Sequence, residues 1–381
     1  MNTKTGLNTG DLEGSSVFWN ERVRRLVPYM PGEQIRKAGI IKLNTNENPY
    51  PPSPKVIEAI KAVEGEALRL YPDPACTAFR EAVAKQRDVK PEQVFAGNGS
   101  DEVLAFAFGA FFTPGCLDSG LSAPDNPLFF PDVTYSFYPV YANLWRTPFK
   151  EIPVRGDFSI CADDYRGAKN GVVFPNPNAP TGIALSLRDV AGMAKMCAAQ
   201  NKVLIVDEAY QAFGAESCVP LINENPGLLS VHTLSKSASL AGLRAGFAIG
   251  RRPLIEALER MRDSFNSYTM DVVAQAAAAA AVLDSEYYDE INRRVVKTRE
   301  RAAAELSALG FSNLPSSANF IFTKPPPPLS AACLYALLRE NGILTRYFDK
   351  SRVREYLRVS IGRDSDMDKF LEVCGSTRFA R

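Results

Sequence analysis

The sequence predicts an α/β fold, with a large domain built on a mostly parallel sheet flanked by helices and a smaller α/β domain at the C-terminus. Three observations carry that expectation. Residues 94–96, 171–174, 202–206, 228–231 and 247–249 are short apolar runs without polar alternation, the pattern of strands buried on both faces of a parallel sheet. Helical stretches lie between them, among them 100–112 and 187–200, the latter with Ser186 as N-cap. After about residue 260 the pattern changes to a long helical passage, which separates the two domains.

In order along the chain, residues 17–27 alternate apolar and charged side chains at helical spacing until Pro28 and Pro31, a leading helix within an N-terminal arm at 1–30. A loop dense in Asn and Pro at 44–54 opens the large domain, assigned to 31–260. The alanine-rich helix ending at Leu283 and a charged helix at 287–309 lead through the small domain, assigned to 261–381. Within it, 319–322 and 357–361 read as strands, 329–340 as a helix, and the sheet as mixed or antiparallel. Four consecutive prolines at 325–328 form a rigid loop between strand and helix.

Composition narrows the function classes. The 381 residues are 46% hydrophobic and 23% charged, enough to bury a large core. A net charge of +1, from 44 basic and 43 acidic residues, gives no electrostatic pull toward nucleic acid or an anionic membrane. Seven scattered cysteines without a Cys-x-x-Cys pair suit reduced thiols better than a disulfide framework. His232 is the only histidine, so a multi-histidine metal site cannot be built and no metal is expected. The first fifteen residues lack the basic start and apolar centre of a signal peptide, and the apolar runs at 104–112 and 276–283 fall short of the ~18 residues of a membrane span. A cytoplasmic location is the expectation.

Chemistry concentrates in five segments. Lys236 ends His232-Thr233-Leu234-Ser235-Lys236, and Arg244 follows within Ala241-Gly242-Leu243-Arg244-Ala245-Gly246. A lysine amine that attacks an aldehyde needs a cation nearby for the aldehyde's anionic tail and a wall of low polarity, so this pairing suits a phosphate-bearing aldehyde cofactor. Asp207, at the end of the run Val203 to Val206, is an acid at the carboxyl edge of a buried strand, where parallel sheets bind ligands. A carboxylate placed there needs a cation, which a protonated pyridine nitrogen supplies; the alternative is an acid capping the next helix. Tyr210 can reach the same ligand.

Asn98-Gly99-Ser100-Asp101 follows a strand and opens a helix, so its amides point at an anion; an ordinary capped helix is the other reading. It is not a dinucleotide fingerprint, because Glu102 stands where the third glycine is needed, which argues against a nucleotide-dependent oxidoreductase. Ser235 and Arg244 offer further phosphate donors. The segment Pro175-Asn176-Pro177-Asn178-Ala179-Pro180-Thr181-Gly182 forms a rigid loop at a strand's end and is expected to present the Asn178 amide to a ligand.

Taken in order, Gly-Asn-Gly-Ser-Asp-Glu, Pro-Asn-Ala-Pro-Thr-Gly, Asp-Glu-Ala-Tyr, Thr-Leu-Ser-Lys and Ala-Gly-Leu-Arg-Ala-Gly resemble the fold type I pyridoxal-phosphate aminotransferases. Within them the chain is most similar to the histidinol-phosphate branch, through Leu26-Val27-Pro28-Tyr29, Leu43-Asn44-Thr45-Asn46-Glu47-Asn48-Pro49, Arg69-Leu70-Tyr71-Pro72-Asp73 and Gly342-Ile343-Leu344-Thr345-Arg346. The resemblance runs from about residue 20 to the end.

It implies that Lys236 binds pyridoxal 5'-phosphate covalently and later shuttles a proton, that Asp207 keeps the pyridine nitrogen protonated, and that Tyr210 and Asn178 hydrogen-bond the ring's phenolic oxygen. Tyr135 stacks on the ring in this reading, although Tyr138 and Tyr141 lie close by. Ser100, Asp101, Ser235 and Arg244 hold the phosphate, and Tyr71 reaches it from a neighbouring subunit, which implies a homodimer. Arg358 corresponds to the arginine that grips the α-carboxylate of glutamate. Arg346, Tyr29 and Asn46 are candidates for substrate contacts, Arg346 as the phosphate partner. The implied reaction exchanges an amino group between histidinol phosphate and 2-oxoglutarate in histidine biosynthesis. An aromatic amino acid aminotransferase or a decarboxylase of a phosphorylated amino acid uses the same machinery and is the alternative. His232 stands where relatives often carry arginine, and it receives no role.

Overall fold

The computed structural model describes residues 18–29, 32–35, 39–115 and 126–376. Most of the N-terminal arm, together with Val17, Pro31 and Cys116, lies outside the described residues. The chain is first seen in a short helix, α1 (Glu21–Arg25), capped by the Asn20 side chain on Val23 N. It continues through a two-residue strand β1 (Ile41–Lys42) and helices α2 (Pro54–Lys61), α3 (Gly65–Leu68) and α4 (Thr77–Arg87).

The large sheet then assembles. Its elements are β2 (Val94–Gly97), α5 (Gly99–Phe111), β3 (Leu128–Pro131), α6 (Tyr138–Leu144), β4 (Phe149–Ile152), β5 (Val172–Pro175), α7 (Leu187–Ala199), β6 (Leu204–Asp207), β7 (Leu228–Thr233) and β8 (Gly246–Ile249). The strand order is β2-β8-β7-β6-β5-β3-β4. Neighbouring strands pair in parallel except at β8, which runs antiparallel to both β2 and β7.

Each central strand feeds two cores. Val172, Phe174, Leu204, Val206 and Leu228 point into one, while Val173, Ile205, Leu229 and Val231 point into the other. Successive side chains of a strand face opposite sides, so a sheet covered on both faces has no position for polar alternation. That is why these strands were legible as unbroken apolar runs. The two strands of this sheet that the sequence reading missed, β3 and β4, differ for separate reasons. β4 lies at the sheet edge with Lys150 and Glu151 exposed, and β3 is a four-residue segment ending in Pro131.

Beyond β8 come α8 (Arg252–Asp263), α9 (Val272–Leu283) and α10 (Ser285–Ala308), then β9 (Ser312–Asn313), β10 (Phe320–Lys324), α11 (Ala331–Glu340), β11 (Ile343–Leu344), β12 (Arg346–Tyr347), β13 (Leu357–Ser360) and α12 (Asp364–Ser376). The smaller sheet, β12-β13-β10-β9, is antiparallel throughout. Its core joins Ile321, Leu357 and Val359 with Leu334 and Leu338 of α11 and Met367 and Phe370 of α12.

Two segments pack across the boundary that the sequence suggested at residue 260. Ala274, Ala277, Ala278 and Ala281 of α9 share the large unit's core with Val56 of α2 and Phe79 and Val83 of α4, since alanine faces let helices approach closely. In the other direction, β1 pairs in parallel with β11, and Leu43 enters the small unit's core. Helix α10 serves both units, with Tyr288 and Ile291 in the large core and Val295, Ala302 and Leu306 in the small one. Among the described residues no helix is long and apolar enough to cross a membrane.

Candidate active site

Because the sheet is largely parallel, the loops after β2, β3, β5, β6 and β7 emerge at one edge. They line a cavity of about 410 Å³ together with residues from β12, β13 and the 44–46 segment. Arg244 joins them because β8 is antiparallel, which puts the residues just before it at the same edge.

Lys236 is half-buried at the floor, and its Nζ donates to Thr45 O at 2.9 Å. Burial first, then the positive field of Arg358, pushes its amine down to about 8, so a neutral nucleophile is accessible near physiological pH. Asp207 is 4% exposed and accepts from Tyr138 Oη and from Ala209 N, both at 3.1 Å, and among the described residues its carboxylate has only these neutral partners. Burial raises its carboxyl to about 7, the condition of an acid awaiting a cation. Tyr138, fully buried on α6, supplies a contact to Asp207 that sequence reasoning did not assign, although its position beside Tyr135 was noted.

The opposite wall is cationic and aromatic. Tyr135 lines the cavity and donates to Asp101 Oδ1 at 2.9 Å, with Tyr141 donating to the same oxygen at 3.4 Å. Asp101 also accepts from Arg244 Nη2 at 2.7 Å, so its carboxylate aims the guanidinium. Arg244 Nη1 reaches Ser235 Oγ at 3.4 Å, and Ser235 N is fixed by Thr233 Oγ1 at 3.1 Å. The N-terminus of α5 at Gly99 and Ser100 sits beside this cluster because Gly246 lacks a side chain. A Cβ there would lie 2.4 Å from Ser100 N and 2.6 Å from Gly99 C. Gly99 itself has φ +82 and carries Arg244 Nη2 2.8 Å from where its Cβ would be, a place only glycine leaves open. Backbone amides at a helix start, a guanidinium and a hydroxyl make an anion cradle.

At the far end, Arg346 and Arg358 are directly opposed across β12 and β13. Like charges facing each other across strands repel, and no carboxylate pairs with either among the described residues. Arg358 donates from Nη2 to Asn44 O at 2.8 Å, while its buried Nε has no acceptor among the described residues. Its guanidinium lies 5.4 Å from the Phe320 ring and 5.7 Å from Phe348. Burial lowers its affinity for a proton below the arginine norm. The pair forms an anion-seeking wall.

Tyr210 and Asn46 line the cavity and are joined, Asn46 Nδ2 donating to Tyr210 Oη at 3.0 Å. Ser360 Oγ donates to Asn46 Oδ1 at 2.7 Å, so this side chain is held by the protein, and Asn46 accepts a φ of 55. Tyr29 lines the mouth against Phe137, ring centroids 4.4 Å apart.

One expected ligand contact is not made within the chain, and another, Tyr71, was assigned to a neighbouring subunit's site. Asn178 is not among the lining residues. Its Nδ2 donates to Val133 O at 2.8 Å and Thr181 Oγ1 at 3.3 Å, and its Oδ1 accepts from Thr134, so the loop consumes the amide expected to face a ligand, and Ala179 lines the cavity instead. Tyr71 is 81% exposed and stacks on Tyr268 at 4.6 Å, away from this chain's own cavity.

Comparison with known proteins follows the same line. The family described as aminotransferase class I and II matches residues 38–373. Histidinol-phosphate aminotransferase 2 of Burkholderia mallei is 49% identical over 356 residues, 93% of this chain and 96% of its own length. Histidinol-phosphate aminotransferase 1 of Bradyrhizobium diazoefficiens is 50% identical over 358 residues, 94% of this chain and 98% of its own. In fold, the chain is similar to the histidinol-phosphate aminotransferase from Sinorhizobium meliloti solved with pyridoxal-5'-phosphate, with TM-score 0.77, 22% identity, and coverage of 89% of this chain and 91% of that one.

Proposed function

The chain belongs to the aminotransferase class I and II family, among its histidinol-phosphate aminotransferases, and from that premise we propose how its residues perform the amino exchange between histidinol phosphate and 2-oxoglutarate. The cofactor is pyridoxal 5'-phosphate, which supplies an aldehyde to carry the amino group and a ring that accepts electrons from the substrate's α-carbon. The residues present fit it. The observation that carries the reading is a half-buried lysine amine lowered to about 8 in one cavity with a cation-seeking buried acid and an anion cradle.

Lys236 is the amine that would hold the aldehyde, and once released it would carry a proton between the substrate's α-carbon and the former aldehyde carbon on the other side of the shared nitrogen, from its position beside Thr45. Asp207, oriented by Tyr138, holds a proton on the ring nitrogen. Tyr210, fixed by Asn46, donates to the ring's oxygen, and Tyr135 covers the ring face. The amides at Ser100 and Asp101, with Ser235 and the Asp101-aimed Arg244, bind the phosphate. Arg358 and Arg346 accept the substrate's anionic group, the glutamate carboxylate in one half-reaction and the histidinol phosphate anion in the other. Tyr29 closes the mouth.

Tyr71, exposed and stacked on the exposed Tyr268, reaches the phosphate of a second copy's site in a homodimer. Cys76, Cys161, Cys197, Cys218 and Cys333 are free thiols, in keeping with the cytoplasm. Borohydride reduction followed by peptide mapping tests the chemistry and is expected to leave a pyridoxyl adduct on Lys236. Steady-state assays comparing histidinol phosphate with phenylalanine as amino donors test the substrate, and a clear preference for phenylalanine would turn the assignment to an aromatic amino acid aminotransferase.

A further inference from the structure

Behind the Lys236 loop lies a second cavity, of about 260 Å³, against the roughly 30 Å³ that one liquid water occupies. The proposed reaction uses none of its charged groups. Arg87, at the end of α4, lines it. Its buried Nε has no acceptor among the described residues, and it forms no ion pair with Glu208 or Asp289, the two acids whose fields reach it. Glu208 is 3% exposed, and its carboxylate is fixed by Ser217 Oγ and Cys218 N, both at 2.6 Å, with His232 Nε2 at 3.5 Å. His232 is itself held by Ser230 Oγ at 2.8 Å and stacked on Phe247. Asp289 and Asn292 of α10, with Gln86 and Gln211, add polar lining.

Among the described residues, this arginine without an ion pair and two acids without an arginine or lysine partner ask for a ligand carrying both charges. We propose that this rear cavity binds a small free α-amino acid as a zwitterion, its carboxylate on Arg87 and its ammonium toward Glu208 and Asp289. The occupant touches Thr233, Leu234, Ser237 and Ala238, the residues on either side of Lys236, and Thr233 lines both cavities. Asn292 accepts from Asn48 Nδ2 at 3.3 Å, and the same Nδ2 reaches Lys236 O at 3.2 Å, a second route from the rear cavity to the lysine. Occupancy therefore sets the mobility of the Lys236 loop, a consequence that rests on the transaminase reading, whereas binding itself does not.

The test titrates the holoenzyme with L-proline, a zwitterion whose secondary amine is a poor amino donor, using calorimetry and hydrogen exchange, with acetate and ethylamine as single-charge controls. The proposal expects millimolar binding of proline that slows exchange at 234–240. Both Arg87→Met and the exposed-site variant Asp289→Asn weaken it by about tenfold or more, and Arg358→Met leaves it unchanged. Melting curves confirm that each variant is folded. Binding lost in Arg358→Met but kept in Arg87→Met places proline in the front cavity and overturns the proposal. So does equal binding of acetate, or no binding at millimolar concentration. Absence of a Lys236 adduct alongside Arg87-dependent proline binding would instead overturn the transaminase reading alone.

Discussion

An Asp207→Asn variant removes the ionisable group at the end of β6 while keeping its shape. The amide oxygen still accepts from Ala209 N, and the amide nitrogen can donate to Tyr138 Oη, so the two contacts at 3.1 Å have replacements. In the apoprotein, burial holds the wild-type carboxyl at about 7 against an ordinary 3.8. The folded state thus keeps a proton that the unfolded chain releases near pH 4. The stability linked to that proton is fully present below pH 4 and is lost as pH rises to about 7, a difference of about 4 kcal/mol. The apo variant lacks this slope. It is expected to match wild type near pH 4 and to exceed it by up to about 4 kcal/mol at pH 8. With coenzyme the order reverses at pH 8, because only the carboxylate meets the cationic ring nitrogen. Urea unfolding followed by circular dichroism from pH 4 to 8, with and without pyridoxal phosphate, reads all of this. Parallel apo curves for the two proteins, or equal stabilisation of both by coenzyme, would refute the account of Asp207.

Arg244→Gln removes the charge that Asp101 aims at the anion cradle, and coenzyme affinity measured by absorbance titration is expected to fall about tenfold to a hundredfold. Arg358→Lys loses the planar fork opposite Arg346, so KM for 2-oxoglutarate should rise by about tenfold or more with a smaller change in kcat; a kcat loss without a KM change would contradict a binding role. Gly246→Ala drives a methyl group into Ser100 N and should cost about 1–3 kcal/mol in thermal unfolding, along with weaker coenzyme binding. Tyr138→Phe deletes one of the two donors on Asp207, raises its carboxyl further, and should lower stability by about 1 kcal/mol at pH 8, with little effect at pH 4, where the carboxyl is protonated.

Local patterns were the legible ones. The strands from β5 to β8 announced themselves because a doubly covered strand must be apolar at every position, and α7 because Ser186 accepts from Asp189 N at its start. Lys236, Asp207, Ser100 and Arg244 stood out because each follows or precedes a buried strand, and the structure brings all four to one cavity. Where a reading depended on side-chain direction, sequence was blind. The residue type in the 175–182 loop suggested a ligand donor, but Val133 O and Thr181 Oγ1 lie close enough to take the Asn178 amide. The Arg346 and Arg358 opposition was invisible because they are twelve residues apart and become neighbours only through the β12–β13 register. His232 had no reading in the chain order; Ser230 is its neighbour two residues back on β7, but Glu208 comes near only when β6 and β7 lie side by side.

By itself the amino-acid order determined the α/β layering, the class of chemistry and which short segments carry it, since these follow from hydrophobic period, strand ends and residue type within a few positions. Only the tertiary structure decided which of those segments share a cavity, which polar groups are already satisfied, that 41–46 packs with the C-terminal unit, and that a charged hollow backs the Lys236 loop. Those outcomes depend on pairings between residues tens to hundreds of positions apart, and the free energy of a buried charge or donor is set by whatever neighbour the fold supplies.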